Sequence, residues 1–345
     1  MKAFRLTRWG TPAELTEMAV PEPGPGQVLI KVAASGACHS DLHLMAWPEG
    51  LLPWKLPFTL GHENTGWIEK TGPGVELRKG DAVIVYGPWG CGQCRPCRLG
   101  RENYCERATE IKTSGGGLGL DGGMAEYMLV PSARYLVPLG DLDPVRAAPL
   151  ADAGLTPYHA ITTSMHRLPP GSTAVVIGCG GLGQMAIQLL RVTTGARVIA
   201  VDTDERKLQI ASSLGADLVV RSGIQAVAAI RSATHNVGAD VVLDMVGADA
   251  TLALGAKALR SEGRLVLIGL AGGKISLGFF DVPYGAEVAT SYWGTLTELM
   301  ELVALARADK LRLEIETYPL SKVLAVYDKL RRGDVVGRAV ICPDR

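Results

Sequence analysis

The stretch VVIGCGGLGQ, residues 175–184, decides the fold of this chain. It begins as a short apolar run, TAVVIG (173–178), and passes into a segment of helical character near Gly181–Thr193. Between them lies G-x-G-x-x-G, formed by Gly178, Gly180 and Gly183. Many loops match that pattern by chance, so its weight comes from its place between a strand and a helix. There Gly178 makes the tight turn. Gly180 lets backbone approach a pyrophosphate, and Gly183 lets the helix pack closely on the sheet. The phosphates would lie on the free N–H groups of the helix N-terminus, where the helix dipole favours negative charge.

Working outward, RVIAVD (197–202) forms the next strand and ends on Asp202. A carboxylate about 20 residues past the glycines hydrogen-bonds the adenosine ribose hydroxyls and repels a 2′-phosphate, so NAD is favoured over NADP. Arg206 and Lys207, close behind, temper that preference. The alternation continues. A helix near Glu205–Leu214 is followed by DLVV (217–220), a helix near Gln225–Thr234, DVVLDMV (240–246), a helix near Ala250–Leu259 and RLVLIG (264–269). Short apolar strands alternating with helices predict a doubly wound parallel sheet covered on both faces.

Upstream of residue 150 the pattern differs. Runs such as Val28–Ala33, Asp81–Tyr86 and Ala125–Val130 are separated by Pro/Gly turns such as PEPGPG (21–26), which predicts mostly antiparallel β structure. The end, 291–345, carries two helical stretches (Leu296–Arg307 and Ser321–Arg332) and a last strand, Arg338–Cys342. Periodicity alone does not assign it to a domain.

Composition narrows the function classes. The 345 residues, 47% of them apolar, suffice for about two domains with a sizeable core. Thirty-five basic residues balance 35 acidic ones, so no electrostatic footprint for nucleic acid or an anionic membrane is expected. The 42 glycines imply many tight turns. MKAFRLTRWG lacks the apolar core of a signal peptide, and no apolar run reaches the ~18 residues of a membrane span. Seven cysteines, an odd and clustered set, fit metal-bound thiolates in a reducing compartment better than a disulfide framework. The expectation is a cytoplasmic protein with no membrane partner.

Two metal constellations stand out. CGQCRPCRLGRENYC spaces Cys91, Cys94, Cys97 and Cys105 so that four thiolates can close a tetrahedral shell around one Zn²⁺, which leaves no position for substrate. That predicts a structural site. The spacing of seven residues before Cys105 argues against an iron–sulfur cluster, and the neutral chain argues against a nucleic-acid zinc ribbon. The second constellation is scattered. ACHSDLH supplies Cys38, His39, Ser40, Asp41 and His43, LGHENTG supplies His62 and Glu63, and LADAGLT supplies Asp152. Singly these are ordinary core or turn residues. Together they offer the thiolate, imidazole and carboxylates from which an open catalytic zinc site is built.

GHENTGWIEKTGPGV (61–75) resembles the zinc signature of the medium-chain, zinc-dependent alcohol dehydrogenases: G-H-E, then Gly66, Gly72 and Val75 at that family's spacing. The cysteine loop and the glycine loop follow in the family's order. The resemblance covers essentially the whole chain and is strongest to bacterial secondary-alcohol dehydrogenases. It implies a GroES-like β domain (1–151), a Rossmann domain (152–290) and a return to the first domain (291–345), with the active site in the interdomain cleft. It also implies Cys38, His62 and Asp152 as ligands of the catalytic zinc, and hence two Zn²⁺ per chain. Glu63 would sit behind that zinc, and Asp41 would orient His62. Ser40 would take the substrate proton and pass it through the nicotinamide ribose to His43. His39 stands where several relatives carry Arg against the pyrophosphate, which would favour faster cofactor release. The NAD site would comprise His39, Thr156, Gly178, Gly180, Gly181, Leu182, Gly183, Asp202, Lys207, Val246, Ile268, Gly269 and Arg338.

The chemistry expected is reversible hydride transfer between an alcohol, most naturally a secondary one, and NAD, yielding a ketone or aldehyde. Aromatic residues gather in WPEGLLPWKLPF (47–58) and SYWG (291–294). Trp47, Trp54, Leu118, Phe280, Tyr292 and Trp293 are therefore candidates for an apolar pocket suited to bulky or aryl substrates. Polyol and primary-alcohol chemistry stays open. Zinc-free quinone or enoyl reductases would lack Cys38, His62 and the cysteine loop. A non-catalytic NAD- or nucleic-acid-binding regulator would hold one zinc instead of two. A homo-oligomer, tetramer or dimer, is expected from the family.

Overall fold

A computed structural model describes residues 1–344. The chain divides into two compact units. One comprises Met1–Leu155, Gly294–Asp309 and the stretch from Leu313 on; the other comprises Thr156–Trp293 with Lys310–Arg312. The last three residues belong with the second unit because Gln188 grips the backbone of Arg312. Its Nε2 donates to the carbonyl at 3.2 Å and its Oε1 accepts from the amide at 2.7 Å.

The second unit is built on a six-stranded parallel sheet in the spatial order Leu218–Arg221, Arg197–Asp202, Thr173–Ile177, Ala239–Asp244, Leu259–Leu267, Glu287–Thr290. The order reverses beside Thr173–Ile177, the switch point where such sheets bind ligands. Every residue of that strand is buried, as its unbroken apolar run predicts for a sheet covered on both faces. Val175, Ile177, Ile199, Val242 and Leu265 share one core with Leu252 and Ile230 from the helices. The helix Gly181–Thr193 carries the glycine loop at its head and buries Gly183–Leu190.

The first unit centres on a seven-stranded sheet. Its path runs Leu136–Pro138, Ala82–Val85, Glu63–Thr71, Val28–Gly36, Arg338–Cys342, Ile315–Pro319, and Tyr127–Val130 also pairs with Val28–Gly36. A smaller sheet joins Glu14–Glu17, Lys2–Leu6 and Phe58–Thr59. The strand expected from residue 125 starts at Tyr127, while Ala125 makes only an isolated bridge to Ala3. The signature glycine Gly66 is explained by the tight pairing of Glu63–Thr71 with Val28–Gly36. A β-carbon there would stand 2.3 Å from the carbonyl oxygen of Lys31.

Two C-terminal helices complete this unit. The helix Leu296–Arg307 opens with a reciprocal cap: Thr295 Oγ1 accepts from the Glu298 amide, and Glu298 Oε2 accepts from the Thr295 amide. The helix Val323–Arg332 ends at Gly333, whose φ of 73° suits glycine. It buries Val323, Val326, Tyr327 and Leu330, the spacing of a single helical face. Among the described residues, no helix is long and apolar enough to cross a membrane.

Candidate active site

Three segments of the first unit meet at Cys38, His62 and Asp152. Cys38 follows the strand Val28–Gly36 and leads into the helix His39–Ala46. His62 directly precedes the strand Glu63–Thr71, and Asp152 ends the short helix Ala148–Ala151. One potential ligand atom from each of the three lies within 4.8 Å of the others. Asp152 Oδ2 is 3.8 Å from Cys38 Sγ and 3.6 Å from His62 Nε2.

Buried charge surrounds this cluster. Asp41 and Glu63 are fully buried, and Arg338 nearly so. Arg338 holds Glu63 in a two-pronged pair, Nη2 on Oε1 at 2.6 Å and Nε on Oε2 at 2.9 Å, and the Ala153 amide also donates to Oε1. Burial pushes the Glu63 carboxyl up, and Arg338 counters it. Burial by itself would lower the His62 pKa. Asp41, Asp152 and Cys38 outweigh it and hold the imidazole well above its ordinary value. Surroundings that hold a proton so firmly also suit a cation. Glu63 and Asp152 face the guanidinium of Arg338, and Asp41 faces His62. A thiolate, an imidazole and a carboxylate converging from three elements make a donor set that fits zinc and leaves a fourth position open.

A further layer of polar contacts backs these three side chains. His62 Nδ1 lies 3.3 Å from Asp41 Oδ1, a close ion-pair contact short of an aligned hydrogen bond. The other oxygen, Asp41 Oδ2, accepts from the Cys38 amide at 3.0 Å and from the Tyr327 hydroxyl at 2.9 Å. Burial, then Asp41, keeps the Tyr327 phenol protonated by raising its pKa well above 10.0. Ser40 Oγ is 3.2 Å from His62 Nε2, the ring nitrogen that Asp152 also approaches. His43 is half-buried and stacks on Trp47 at 6.4 Å. His39 is exposed at the head of the same helix.

Cys91, Cys94, Cys97 and Cys105 form a second cluster. The Cys91–Cys97 and Cys94–Cys105 sulfur pairs are each 4.0 Å apart. Sulfurs placed tetrahedrally about 2.3 Å from one ion would lie ~3.8 Å apart, so the donor set fits zinc with no position left over. The amides of Cys94 and Gln93 draw the Cys91 thiol down to about 6. A cavity of ≈480 Å³ lined by Trp89, Cys91, Ile111, Leu120, Arg134 and Tyr135 lies beside this loop, and its walls include none of Cys38, His62 and Asp152.

In the second unit the glycine loop has the shape a dinucleotide needs. Gly178 takes φ 90°. A β-carbon on Gly183 would stand 1.9 Å from the Gly178 carbonyl, whereas one on Gly180 would meet nothing within 4 Å. Gly180 heads the helix Gly181–Thr193 without a side-chain cap, leaving the amides of Gly181 and Leu182 at an uncapped N-terminus. Val246 and Gly269 come together with Gly178. A β-carbon on Gly178 would lie 2.7 Å from Val246 Cγ2, and one on Gly269 would lie 2.2 Å from the Val246 carbonyl carbon. Ile268 is buried beside them, Thr156 is buried, and Lys207 is half-buried. Asp202 is fixed by two amides, Cys179 on Oδ2 at 2.7 Å and Asp204 on Oδ1 at 2.9 Å.

The other expected site residues have the following surroundings. Arg338, placed at the cofactor by the resemblance, directs its hydrogen bonds to Glu63 and lies 3.8 Å from Asp152. Phe280 is 85% exposed and in edge contact with Phe279. Trp54 is half-buried, meets Phe58 edge-on at 6.0 Å and covers Gly119 beside the buried Leu118. Trp293 is buried at φ 51°, with the partly exposed Tyr292 set edge-on against it. Sequence reasoning missed Tyr327, which lies 286 positions from Asp41 and looks like any core aromatic of an amphipathic helix. It also missed Asp244, fully buried at the end of Ala239–Asp244, whose Oδ1 accepts from the amides of Val246 and Gly247. A carboxylate ending an apolar strand at the switch point was the available signal.

Comparison with known proteins agrees with this architecture. Residues 24–141 match the family model of the alcohol dehydrogenase GroES-like domain, and residues 181–308 match that of the zinc-binding dehydrogenases. The chain is 38% identical to an NAD-dependent alcohol dehydrogenase of Sulfurisphaera tokodaii, over 99% of this chain and 100% of that one. It is 35% identical to a D-arabinose 1-dehydrogenase (NADP(+)) of Saccharolobus solfataricus, over 99% and 97%. Its structure is similar to that of an alcohol dehydrogenase from Aeropyrum pernix, with a TM-score of 0.92 and 38% identity over 99% and 100% of the two chains. Full-length similarity of this degree shows that the chain belongs to the zinc-dependent medium-chain alcohol dehydrogenase family.

Proposed function

We propose that this protein is an NAD-dependent zinc alcohol dehydrogenase acting on secondary alcohols, bulky or aryl-substituted ones included, and on the corresponding ketones. The observation that carries the reading is the convergence of Cys38, His62 and Asp152 within 4.8 Å with the Ser40 hydroxyl against the same imidazole. When bound, zinc supplies Lewis-acid polarisation of the substrate oxygen and NAD supplies the hydride acceptor. The chain's own residues do the rest. Cys38, His62 and Asp152 hold the metal, and Asp41 orients His62. Ser40 would relay the hydroxyl proton, passing its own proton on through the nicotinamide ribose to His43 and solvent as it takes the substrate's. Arg338 holds Glu63 in place behind the ligands and counters the upward pull of burial on its carboxyl. The half-buried Trp54, with Leu118 beside it, supports an apolar substrate site.

Gly178, Gly180–Gly183, Val246 and Gly269 would hold the pyrophosphate and nicotinamide ends of the cofactor, and Asp202 the ribose. Cys91, Cys94, Cys97 and Cys105 would hold a second, structural zinc, giving two per chain. We place the protein in the cytoplasm as a homo-oligomer, tetramer ahead of dimer. The exposed Phe279, Phe280 and Tyr284 near the edge strand Glu287–Thr290 support a surface for a second copy.

A polyol or sugar oxidation is the second reading, favoured by the similarity to a D-arabinose dehydrogenase. The test is an NAD(H)- and NADP(H)-coupled screen of primary alcohols, secondary alcohols, aryl ketones, polyols and aldoses, with metal analysis of the purified chain. Turnover of secondary alcohols with two zincs is expected. Turnover restricted to aldoses would favour the second reading. A Cys38→Ser variant that kept full activity and both zincs would overturn the metal assignment.

A further inference from the structure

We infer that Tyr327 is a positioning residue for the catalytic metal site, acting through Asp41 on His62. The inference rests on the reading of Cys38, His62 and Asp152 as zinc ligands. Asp41 divides its two oxygens between tasks. Oδ2 accepts two donors, the Cys38 amide at 3.0 Å and the Tyr327 hydroxyl at 2.9 Å. Oδ1 is left to face His62 Nδ1 at 3.3 Å. Asp41 and Tyr327 are both fully buried, so no solvent competes for these bonds. A carboxylate pinned at one oxygen by two donors has little freedom to turn, and its second oxygen stays aimed at the imidazole. With Nδ1 turned to this oxygen, Nε2 is the nitrogen that faces Asp152, and a carboxylate beside Nδ1 favours the tautomer that carries its proton there.

The position of Tyr327 is in turn over-determined. Its helix, Val323–Arg332, buries the face that carries it. Its ring stacks on Phe4 at 6.0 Å, and its hydroxyl also contacts Met124 Sδ at 3.3 Å. Packing thus sets the ring, while the hydroxyl contributes the bond to Asp41. A phenylalanine would satisfy every packing requirement at this position and would lack only that donor. Removing the hydroxyl leaves Asp41 Oδ2 with the Cys38 amide alone and loosens the carboxylate that orients His62. Partners one shell out from a metal ligand commonly change metal affinity by roughly 10–100-fold. Tyr327 sits one step further out, so an effect near the lower end, roughly tenfold, is expected.

The experiment compares wild-type protein with Tyr327→Phe, Tyr327→Met and Phe4→Leu. Zinc release to a colorimetric chelator is followed over time, and metal content is measured before and after. Wild type is expected to release one zinc quickly from the open site and one slowly from the four cysteines. Both Tyr327 variants are expected to accelerate the fast phase about tenfold and leave the slow phase unchanged. Their kcat should fall more than their KM rises. Phe4→Leu, which removes the packing partner but keeps the hydroxyl, is expected to lower the melting temperature without changing the fast phase. A wild-type fast phase in Tyr327→Phe, or equal acceleration in Phe4→Leu, would overturn the inference. So would slower release from Tyr327→Met than from Tyr327→Phe, because methionine lacks the donor and the ring as well. A wild-type protein holding only the slowly released zinc would overturn the metal-site reading itself. Metal content shows that outcome before any variant is made.

Discussion

Arg338 and Glu63 form a buried two-pronged ion pair, Nη2 to Oε1 at 2.6 Å and Nε to Oε2 at 2.9 Å, joining the chain's last strand to the strand that carries the zinc signature. Glu63 is fully buried and Arg338 nearly so. Removing one partner leaves the other uncompensated in a low-dielectric interior, which typically costs about 3–5 kcal/mol. Arg338→Met should therefore lower the urea unfolding free energy by that amount. The double variant Glu63→Leu with Arg338→Met should recover most of it, since an apolar pair of similar volume often replaces a buried ion pair without loss. Chemical denaturation of the three proteins tests this. A single variant within about 1 kcal/mol of wild type would show that the pair is solvated in solution.

Ser40 is expected to act on the proton and not on binding. Its hydroxyl lies 3.2 Å from His62 Nε2, against the proposed metal ligands. Ser40→Ala should lower kcat by roughly 10²–10⁴-fold, the usual contribution of a positioned proton acceptor, with KM changed little. Ser40→Thr keeps the hydroxyl and should retain much of the rate. Steady-state kinetics decide the matter. A rise in KM at unchanged kcat would assign Ser40 to substrate binding instead.

Asp202 should set the cofactor preference. Its carboxylate is locked by the Cys179 and Asp204 amides, and Arg206, the nearby cation, is engaged by Asp204 through Nη2–Oδ2 at 2.9 Å. Asp202→Gly removes the repulsion toward a 2′-phosphate but leaves Arg206 held. The ratio of kcat/KM for NADP to that for NAD should rise roughly tenfold, the scale of one charge-assisted hydrogen bond. Adding Asp204→Ala should free Arg206 and raise the ratio further. An unchanged ratio in both variants would remove Asp202 from the specificity assignment.

Cys179 gives a pH prediction of definite sign. Burial, followed by the charge of Asp202, pushes its thiol from 9.0 up to about 12. The folded state therefore resists forming the thiolate more than the unfolded state does. The stability this thiol contributes is complete below pH 9 and is lost as pH rises toward 12. Unfolding midpoints measured from pH 8 to 11 should fall more steeply for wild type than for Cys179→Ala. At pH 8 the native thiol should resist alkylation. Parallel pH profiles, or rapid labelling of Cys179 in the native protein, would contradict the assignment.

Legibility in the sequence followed the range of the interactions. The alternation of apolar runs and helical segments after residue 172 reports local periodicity, and the parallel sheet has its strands where those runs lie. The glycine loop and the four cysteines are short motifs whose spacing alone limits their geometry. The boundary of the strand expected at residues 125–130 was less legible. Ala125 is as apolar as its neighbours, and only the pairing partner decides where the ladder begins.

By itself the sequence determined the class of each part: a doubly wound nucleotide-binding sheet, an antiparallel β unit, a closed cysteine cluster, and the residue types of an open metal site. The first three rest on contacts between residues close in the chain, where spacing dictates geometry; the scattered residues of the open site were legible through the family resemblance. The tertiary structure alone decided which distant side chains serve that site. Tyr327 meets Asp41 across 286 positions, and Arg338 meets Glu63 across 275. No local pattern marks either residue, since a tyrosine on a helix face and an arginine opening a strand are ordinary until the fold buries them. What distinguishes them is the cost of a buried carboxylate without a partner, and that cost arises only after the chain has closed around it.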